Sequence, residues 1–148
     1  MDIKIKKLHP DAIIPKYATE FSACFDLYAH KPPNGSTTFQ STAIFNTGLI
    51  FEIPRGYAMM IYSRSGHGFN SDMRLANCVG VIDSDYRGEV KVKLTKDDAH
   101  QDFRAHATVT HGDRIAQAMI IAVPDVNFIE VDELTKTVRG AGGFGSTG

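Results

Sequence analysis

A chain of 148 residues suits one domain with a real core and is too short for two of ordinary size. Hydrophobic residues at 43% and charged residues at 22% exclude a disordered chain. Sixteen basic against 17 acidic side chains, net -1, provide no positive field of the kind nucleic acid or an anionic membrane requires.

In chain order, Ile3-Lys4-Ile5-Lys6 alternates apolar and charged residues, which predicts a short strand and no signal-peptide core. The same period of two recurs at Phe39 to Phe45, Leu49 to Ile53, Ala58 to Tyr62, Val90 to Leu94, Ala118 to Val123 and Phe128 to Val131. Between them lie turn signals: Pro32-Pro33-Asn34-Gly35, Asn46-Thr47-Gly48, Pro54-Arg55-Gly56, Tyr86-Arg87-Gly88, His111-Gly112-Asp113 and Pro124-Asp125. One short helical turn fits between Gly66 and Ala76. Many short strands without a normal amphipathic helix predict an all-β fold, a sandwich, jelly roll or barrel. The longest apolar run, Ala118 to Val123, is far below the ~18 residues of a membrane span. Cys24 and Cys78 make no disulfide framework, so a soluble, cytoplasmic or otherwise intracellular protein is expected.

Four clusters carry chemistry. Asp26 is a polar residue in the apolar stretch Ser22 to Ala29, readable also as an outward-facing strand residue. Ser63-Arg64-Ser65-Gly66 combines a guanidinium fork, two hydroxyls and a glycine that permits close approach, which suits a phosphate. Gly80-Val81-Ile82-Asp83-Ser84-Asp85-Tyr86-Arg87-Gly88 follows an apolar strand with two carboxylates, a phenol and a guanidinium; it reads equally as a charged hairpin turn or as a site whose carboxylate accepts a proton from water. In Gly112-Asp113-Arg114-Ile115-Ala116-Gln117, Asp113 and Arg114 look like a turn pair, and Gln117 opens an apolar run.

From Arg139 to Gly148 the strand period is lost, and a glycine-rich tail carries Arg139, Phe144, Ser146 and Thr147: a phosphate fork, a stacking ring and two hydroxyls. Its Gly140-x-Gly142-x-x-Gly145 match is not a dinucleotide fingerprint, which needs a preceding strand, a following helix and a later acidic residue. His100, His106 and His111 share one segment without a compact zinc-ligand pattern. Asn34-Gly35-Ser36 is read as a turn, and Met59-Met60 as packing.

Taken together and in this order, the four clusters and the tail resemble the trimeric deoxyuridine triphosphate nucleotidohydrolases (dUTPases), over Asp26 to Gly148. The resemblance implies a distorted jelly-roll-like β subunit (1–138) with one short helical turn and a flexible C-terminal lid (139–148). It implies hydrolysis of dUTP to dUMP and pyrophosphate with Mg²⁺, limiting uracil in DNA and supplying dUMP for dTTP synthesis. Asp83 would orient and deprotonate the attacking water. Tyr86 would lie against the deoxyribose, while Asn77 and the main chain of Gly80, Val81 and Ile82 would hold the uracil. Arg64, Ser65, Gly66 and Gln117 would bind the phosphates, and Asp26 would hold the metal through water. Arg139, Gly142, Gly143, Phe144, Gly145, Ser146 and Thr147 would clamp the γ-phosphate and cover the base. The resemblance further implies a homotrimer: one chain supplies Asp26, Arg64-Ser65 and Gln117, a second the Asn77 to Tyr86 hairpin, a third the tail. Neither nucleic acid nor membrane is an expected partner.

The chain departs from the family pattern at Cys24, Ser63, His67, Gly68, Cys78 and Val79, which touches the geometry of the phosphate turn and the uracil hairpin. Three rival readings are a dCTP deaminase, a nucleotide-sensing regulatory partner using the polar Lys96 to Thr110 segment, and a purely structural jelly roll. Tyr86 and the tail favour the dUTPase reading over the deaminase.

Overall fold

A computed structural model describes residues 1–31, 36–97 and 107–145. Eleven strands and one helix are present among them: β1 (Lys4–Lys7), β2 (Phe25–Tyr28), β3 (Ser36–Phe39), β4 (Thr42–Asn46), β5 (Leu49–Glu52), β6 (Tyr57–Tyr62), α1 (Ser65–Ser71), β7 (Met73–Leu75), β8 (Val79–Ile82), β9 (Lys91–Lys96), β10 (Ala107–Thr110) and β11 (Arg114–Ala122). All pairings are antiparallel. A four-stranded sheet runs β2-β11-β6-β8, a three-stranded sheet β4-β9-β7, and two further pairs join β1 to β5 and β3 to β10.

Alternation places one row of each strand inside. In β9, Val92 and Leu94 are buried while Lys91 and Lys93 face outward; in β5, Leu49 and Phe51 are buried. Residues from the different sheets, including Leu27, Phe45, Met59, Leu75 and Ile115, meet in one core, as two inner faces of an antiparallel sandwich do. Leu94 is fully buried there. Leu94→Ala is expected to lower unfolding free energy by about 3 kcal/mol, the combined effect of lost transfer energy and a cavity; urea denaturation monitored by circular dichroism measures it.

The all-β expectation stands, with local differences. Phe39 to Phe45 is two strands, since the chain turns at Gln40-Ser41. Short β7, three residues, carries too few to show a period, while β10 alternates as Ala107-Thr108-Val109-Thr110 but is not among the expected strands. Phe128 to Val131 is not a strand: this stretch pairs with no described segment and is exposed, Phe128 at 91% and Ile129 at 75%. The alternation is present, but a strand also needs a neighbour for its backbone groups. Everything from Ala122 to Ala141 is exposed.

His111 meets His30 edge-on, and its Nδ1 accepts the Lys31 N–H at 3.2 Å. His30 stacks on His9 and pairs with Asp11 at 3.0 Å, which fastens the N-terminal segment to the end of β2. Lys31 and His30 hold the Asp11 carboxyl well below the usual carboxylate range. His100 and His106 lie outside the described residues. No helix among those described is long and apolar enough to cross a membrane.

Candidate active site

Register across the four-stranded sheet builds the site. Asp26 on β2 lies opposite Gln117 on β11, Gln117 lies opposite Tyr62 on β6, and Tyr62 lies opposite Val79 on β8. A single row thus crosses the sheet, and the turns leaving it carry Ser63-Arg64-Ser65 on one strand and Asn77-Cys78 on the next. A shift in register between Arg114 and Ala116 helps. Ile115 and Ala116 are buried consecutively, so the alternation is broken and Arg114 and Gln117 emerge towards the same cavity.

That cavity, about 480 Å³, is lined by Asp26, Arg64, Ser65, Arg114 and Gln117, with Ser22 and Cys24 at its wall. Asp26 is the electrostatic centre: Oδ1 accepts from Arg64 Nε at 3.2 Å and Oδ2 from Arg114 Nη1 at 3.4 Å. Its side chain is only 13% exposed, whereas that of Arg114 is half exposed. One half-buried carboxylate against two guanidiniums leaves a net positive concavity, suited to an anion of several charges. Gln117 Nε2 donates to the Ser63 carbonyl at 2.9 Å, and the Ser63 hydroxyl accepts the Leu75 N–H at 2.9 Å. The arginine loop is therefore tied to both β11 and β7. Burial pushes the neighbouring Cys24 thiol up.

Arg114 is the contributor that reading the sequence as a turn pair missed. Asp113 does serve the turn, its Oδ2 accepting from the Thr110 N–H and hydroxyl at 2.7 and 2.9 Å. Arg114 instead faces Asp26. The available signal was the adjacent apolar pair Ile115-Ala116, which interrupts period two between two polar residues.

A second cavity, about 470 Å³, is lined by Asn77, Gly80, Val81 and Ile82, with Lys91 and Lys93 across from them and Ile61, Leu75 and Val92 as its floor. The turn into it is strained. Cys78 has φ +62, and the Val79 N–H donates to the Asn77 carbonyl at 2.7 Å, closing a three-residue turn around a side-chain-bearing residue in the left-handed region. A Cβ on Gly80 would stand 3.2 Å from that of Ile61. A glycine therefore keeps this wall low.

Asp83 lies at the far end of β8. Val79 is level with Tyr62 and Ile82 with Met59, so the two ends are about 10 Å apart at the rise of a strand. Asp83 is exposed and borders a cleft with Arg55, Tyr57 and Ser84, away from Arg64 and Gln117. Arg87 closes its turn by donating to the Ser84 and Tyr86 carbonyls at 2.7 and 2.9 Å. The Tyr86 ring lies across Gly88, where an added Cβ would stand 2.3 Å from its hydroxyl oxygen, and that hydroxyl donates to the Glu89 carbonyl at 3.2 Å. Glu89 in turn accepts the Gly48 N–H at 2.9 Å, at a turn with φ +69 where a Cβ would meet that of Ala12 at 2.9 Å.

The tail meets neither cavity. Arg139 Nε donates to the Gly142 carbonyl at 2.8 Å in a local turn, Gly140 and Gly145 have positive φ, and Phe144 projects freely with φ +52. Gly143 stands in open space. Ser146 and Thr147 lie outside the described residues. One chain thus brings together Asp26, Arg64, Ser65, Gln117 and, across the sheet, Asn77 to Ile82, but leaves Asp83, Tyr86 and the tail apart from them.

Among the described residues, no group of three or more His, Cys, Asp or Glu side chains is arranged to hold a metal ion. A dedicated cage is therefore absent from these residues. Asp26, with both oxygens already facing guanidiniums, suits contact through water to a hydrated ion held chiefly by phosphate oxygens, the habit of Mg²⁺.

Comparison with known proteins gives the relationship. A family model described as dUTPase matches residues 10–148. The chain is 44% identical over 148 residues to the deoxyuridine 5'-triphosphate nucleotidohydrolase of Helicobacter hepaticus (strain ATCC 51449 / 3B1), spanning 100% of this chain and 89% of that protein. It is 45% identical over 148 residues to the protein of the same name from Nautilia profundicola (strain ATCC BAA-1463 / DSM 18972 / AmH), spanning 100% of this chain and 99% of that one. In three dimensions it superposes on the G164S mutant of the Staphylococcus bacteriophage 80alpha dUTPase with dUpNHpp at TM-score 0.87, with 22% identity and coverage of 99% of this chain and 98% of that one. That likeness establishes the fold. With the match running through every motif from Asp26 to the glycine-rich tail, this chain belongs to the dUTPase family.

Proposed function

We propose that the protein hydrolyses dUTP to dUMP and pyrophosphate. The observation that carries the reading is the cationic cavity built by Arg64, Arg114 and Gln117 around Asp26, in a chain of this family. Arg64, Ser65, Arg114 and Gln117 bind the phosphate chain. Asn77 and the main chain of Gly80, Val81 and Ile82 receive the uracil in the second cavity, where fixed donors and acceptors discriminate between bases. Tyr86 packs on the deoxyribose. Asp83 takes a proton from water as its oxygen attacks the α-phosphorus. The α-phosphorus bond to the bridging oxygen then breaks, and pyrophosphate leaves with both electrons of that bond. Bound Mg²⁺ would neutralise phosphate charge, and Asp26 would accept hydrogen bonds from the ion's water shell. A structural Mg(II) ion is named for the dUTPase of phage phi11 of S. aureus. Arg139, Gly142, Gly143, Phe144 and Gly145, with Ser146 and Thr147, close over the nucleotide and exclude bulk water.

The working unit in this reading is a homotrimer. Within one chain Asp83 is too far from Arg64 to serve the same phosphate, and the exposed Val126, Phe128, Ile129, Val131 and Leu134 form an apolar, strand-patterned segment without a partner among the described residues. A neighbouring copy supplies both. In the cell the reaction would keep uracil out of DNA and provide dUMP for dTTP synthesis.

Pyrophosphate release measured with dUTP, dTTP, dCTP and UTP, with and without Mg²⁺, tests the reading. Turnover confined to dUTP is expected; ammonia release from dCTP would overturn it. Native mass measurement is expected to give three chain masses. Gly88→Ala provides a finer test, because the new methyl displaces the Tyr86 ring. Selectivity for dUTP over UTP in kcat/KM is expected to fall about tenfold, the scale of one steric contact at a pocket wall.

A further inference from the structure

Behind the phosphate cavity sits a titratable group with no part in the reaction described above. His67 follows the arginine loop on α1, and its ring Nε2 lies 3.5 Å from Arg64 Nη1. Its Nδ1 is buried and has no hydrogen-bond partner among the described residues. A guanidinium has donors only, so an imidazole nitrogen facing it must be the acceptor. In such a contact Nε2 is unprotonated, the ring is neutral, and the hydrogen sits on the buried Nδ1.

Arg64 is held from behind at three points. Nε donates to Asp26 Oδ1 at 3.2 Å, and Nη1 to the Arg114 carbonyl at 3.2 Å and towards His67 Nε2. Nη2 has no partner among the described residues, and the side chain lines the cavity. A buried polar atom left unsatisfied in a native fold calls for a reason; here the ring is placed for its other nitrogen. We infer that His67 is a positioning residue for triphosphate binding, its neutral imidazole bracing Arg64 so that the free edge of the guanidinium faces the phosphates. The inference rests on the proposed function for the identity of the ligand, while the brace itself is a property of the free protein.

The brace is sensitive to acid. Arg64, Arg114 and Asp113 are the charged groups facing the ring; burial and the two arginines push its pKa below the ordinary imidazole value, and Asp113 opposes them. At neutral pH the ring is uncharged and accepts. Protonation removes the acceptor, so the brace on Arg64 is lost as pH drops through the His67 titration.

Two measurements decide. Long-range ¹⁵N–¹H spectra of the ligand-free protein, with His67→Gln to assign the signal, are expected to show an Nδ1–H tautomer at neutral pH; an Nε2–H or a charged ring would overturn the inference. Calorimetric Kd for dUpNHpp and steady-state kinetics with dUTP form the second. His67→Leu is expected to raise Kd and KM about five-fold at neutral pH with little change in kcat, the scale of one lost hydrogen bond. His67→Gln, whose amide oxygen can accept from Arg64, should recover most of that loss. Both variants should lack the step that the His67 titration puts into the pH dependence of wild-type binding. Wild-type Kd in His67→Leu, or an identical pH dependence in all three proteins, would sink the brace. A wild-type protein that neither binds dUpNHpp nor turns over dUTP would count against the functional reading instead, and the spectra would still judge the Arg64 contact.

Discussion

Asp83→Asn is expected to cut kcat for dUTP by about 10³-fold, within the range a general base contributes, while dUpNHpp still binds with Kd close to wild type. Asparagine matches aspartate in shape but has no basic lone pair for the proton released by the attacking water. The exposed Asp83 side chain makes no hydrogen bond among the described residues, and its turn is held by Arg87 and by the Tyr86 N–H on the Asp83 main-chain carbonyl. The substitution therefore leaves the fold intact, and any loss is chemical. Pyrophosphate release by the variant at the wild-type rate would remove Asp83 as the base. A parallel fall in analogue binding would show instead that the carboxylate holds substrate.

Removing residues 139–148 is expected to lower kcat/KM for dUTP by about 10²-fold or more, since closure supplies both positioning and exclusion of water. Stability should be unchanged. Among the described residues the last strand ends at Ala122, and Arg139 to Gly145 hydrogen-bonds only locally: Arg139 to Gly142 and Gly140 to Thr137. Urea unfolding of the truncated protein should thus overlay that of the full chain, and pyrophosphate release should separate them. A truncated enzyme with full activity would end the lid argument. A shifted unfolding midpoint would show that the tail packs on the assembled protein.

The glycines explain why that segment stays open. Gly140 and Gly145 adopt positive φ at little cost, so the backbone keeps conformations that most residues avoid. Phe144, at φ +52 and fully exposed, is the exception. Its strain and its bare ring are both relieved if it stacks on a bound base.

Much of the fold was legible because alternation is a local property. Val92 and Leu94 are buried while Lys91 and Lys93 are exposed, in the manner their order requires, and α1 falls where a short turn was expected. Legibility failed where a strand depends on its partner. Phe128 to Val131 has the pattern and no described neighbour, whereas β7, only Met73–Leu75, has hardly any pattern but is paired with β9. Period two records which face is apolar and says nothing about who supplies the hydrogen bonds.

Residue types and spacing by themselves determined an all-β chain and its family, and supplied the groups proposed to act: Asp26, Arg64, Asp83, Tyr86, Gln117 and the tail. Tertiary structure alone decided which of these meet. Cross-strand register puts Asp26, Gln117 and Tyr62 in one row, a break in alternation turns Arg114 onto Asp26, and a half-buried ring stands behind Arg64. The antiparallel run of β8 along β6 carries Asp83 to the opposite end of the sheet. The reason is physical: burial selects a face from neighbours in sequence, whereas backbone hydrogen bonds between strands set distances between residues as far apart as 26 and 117.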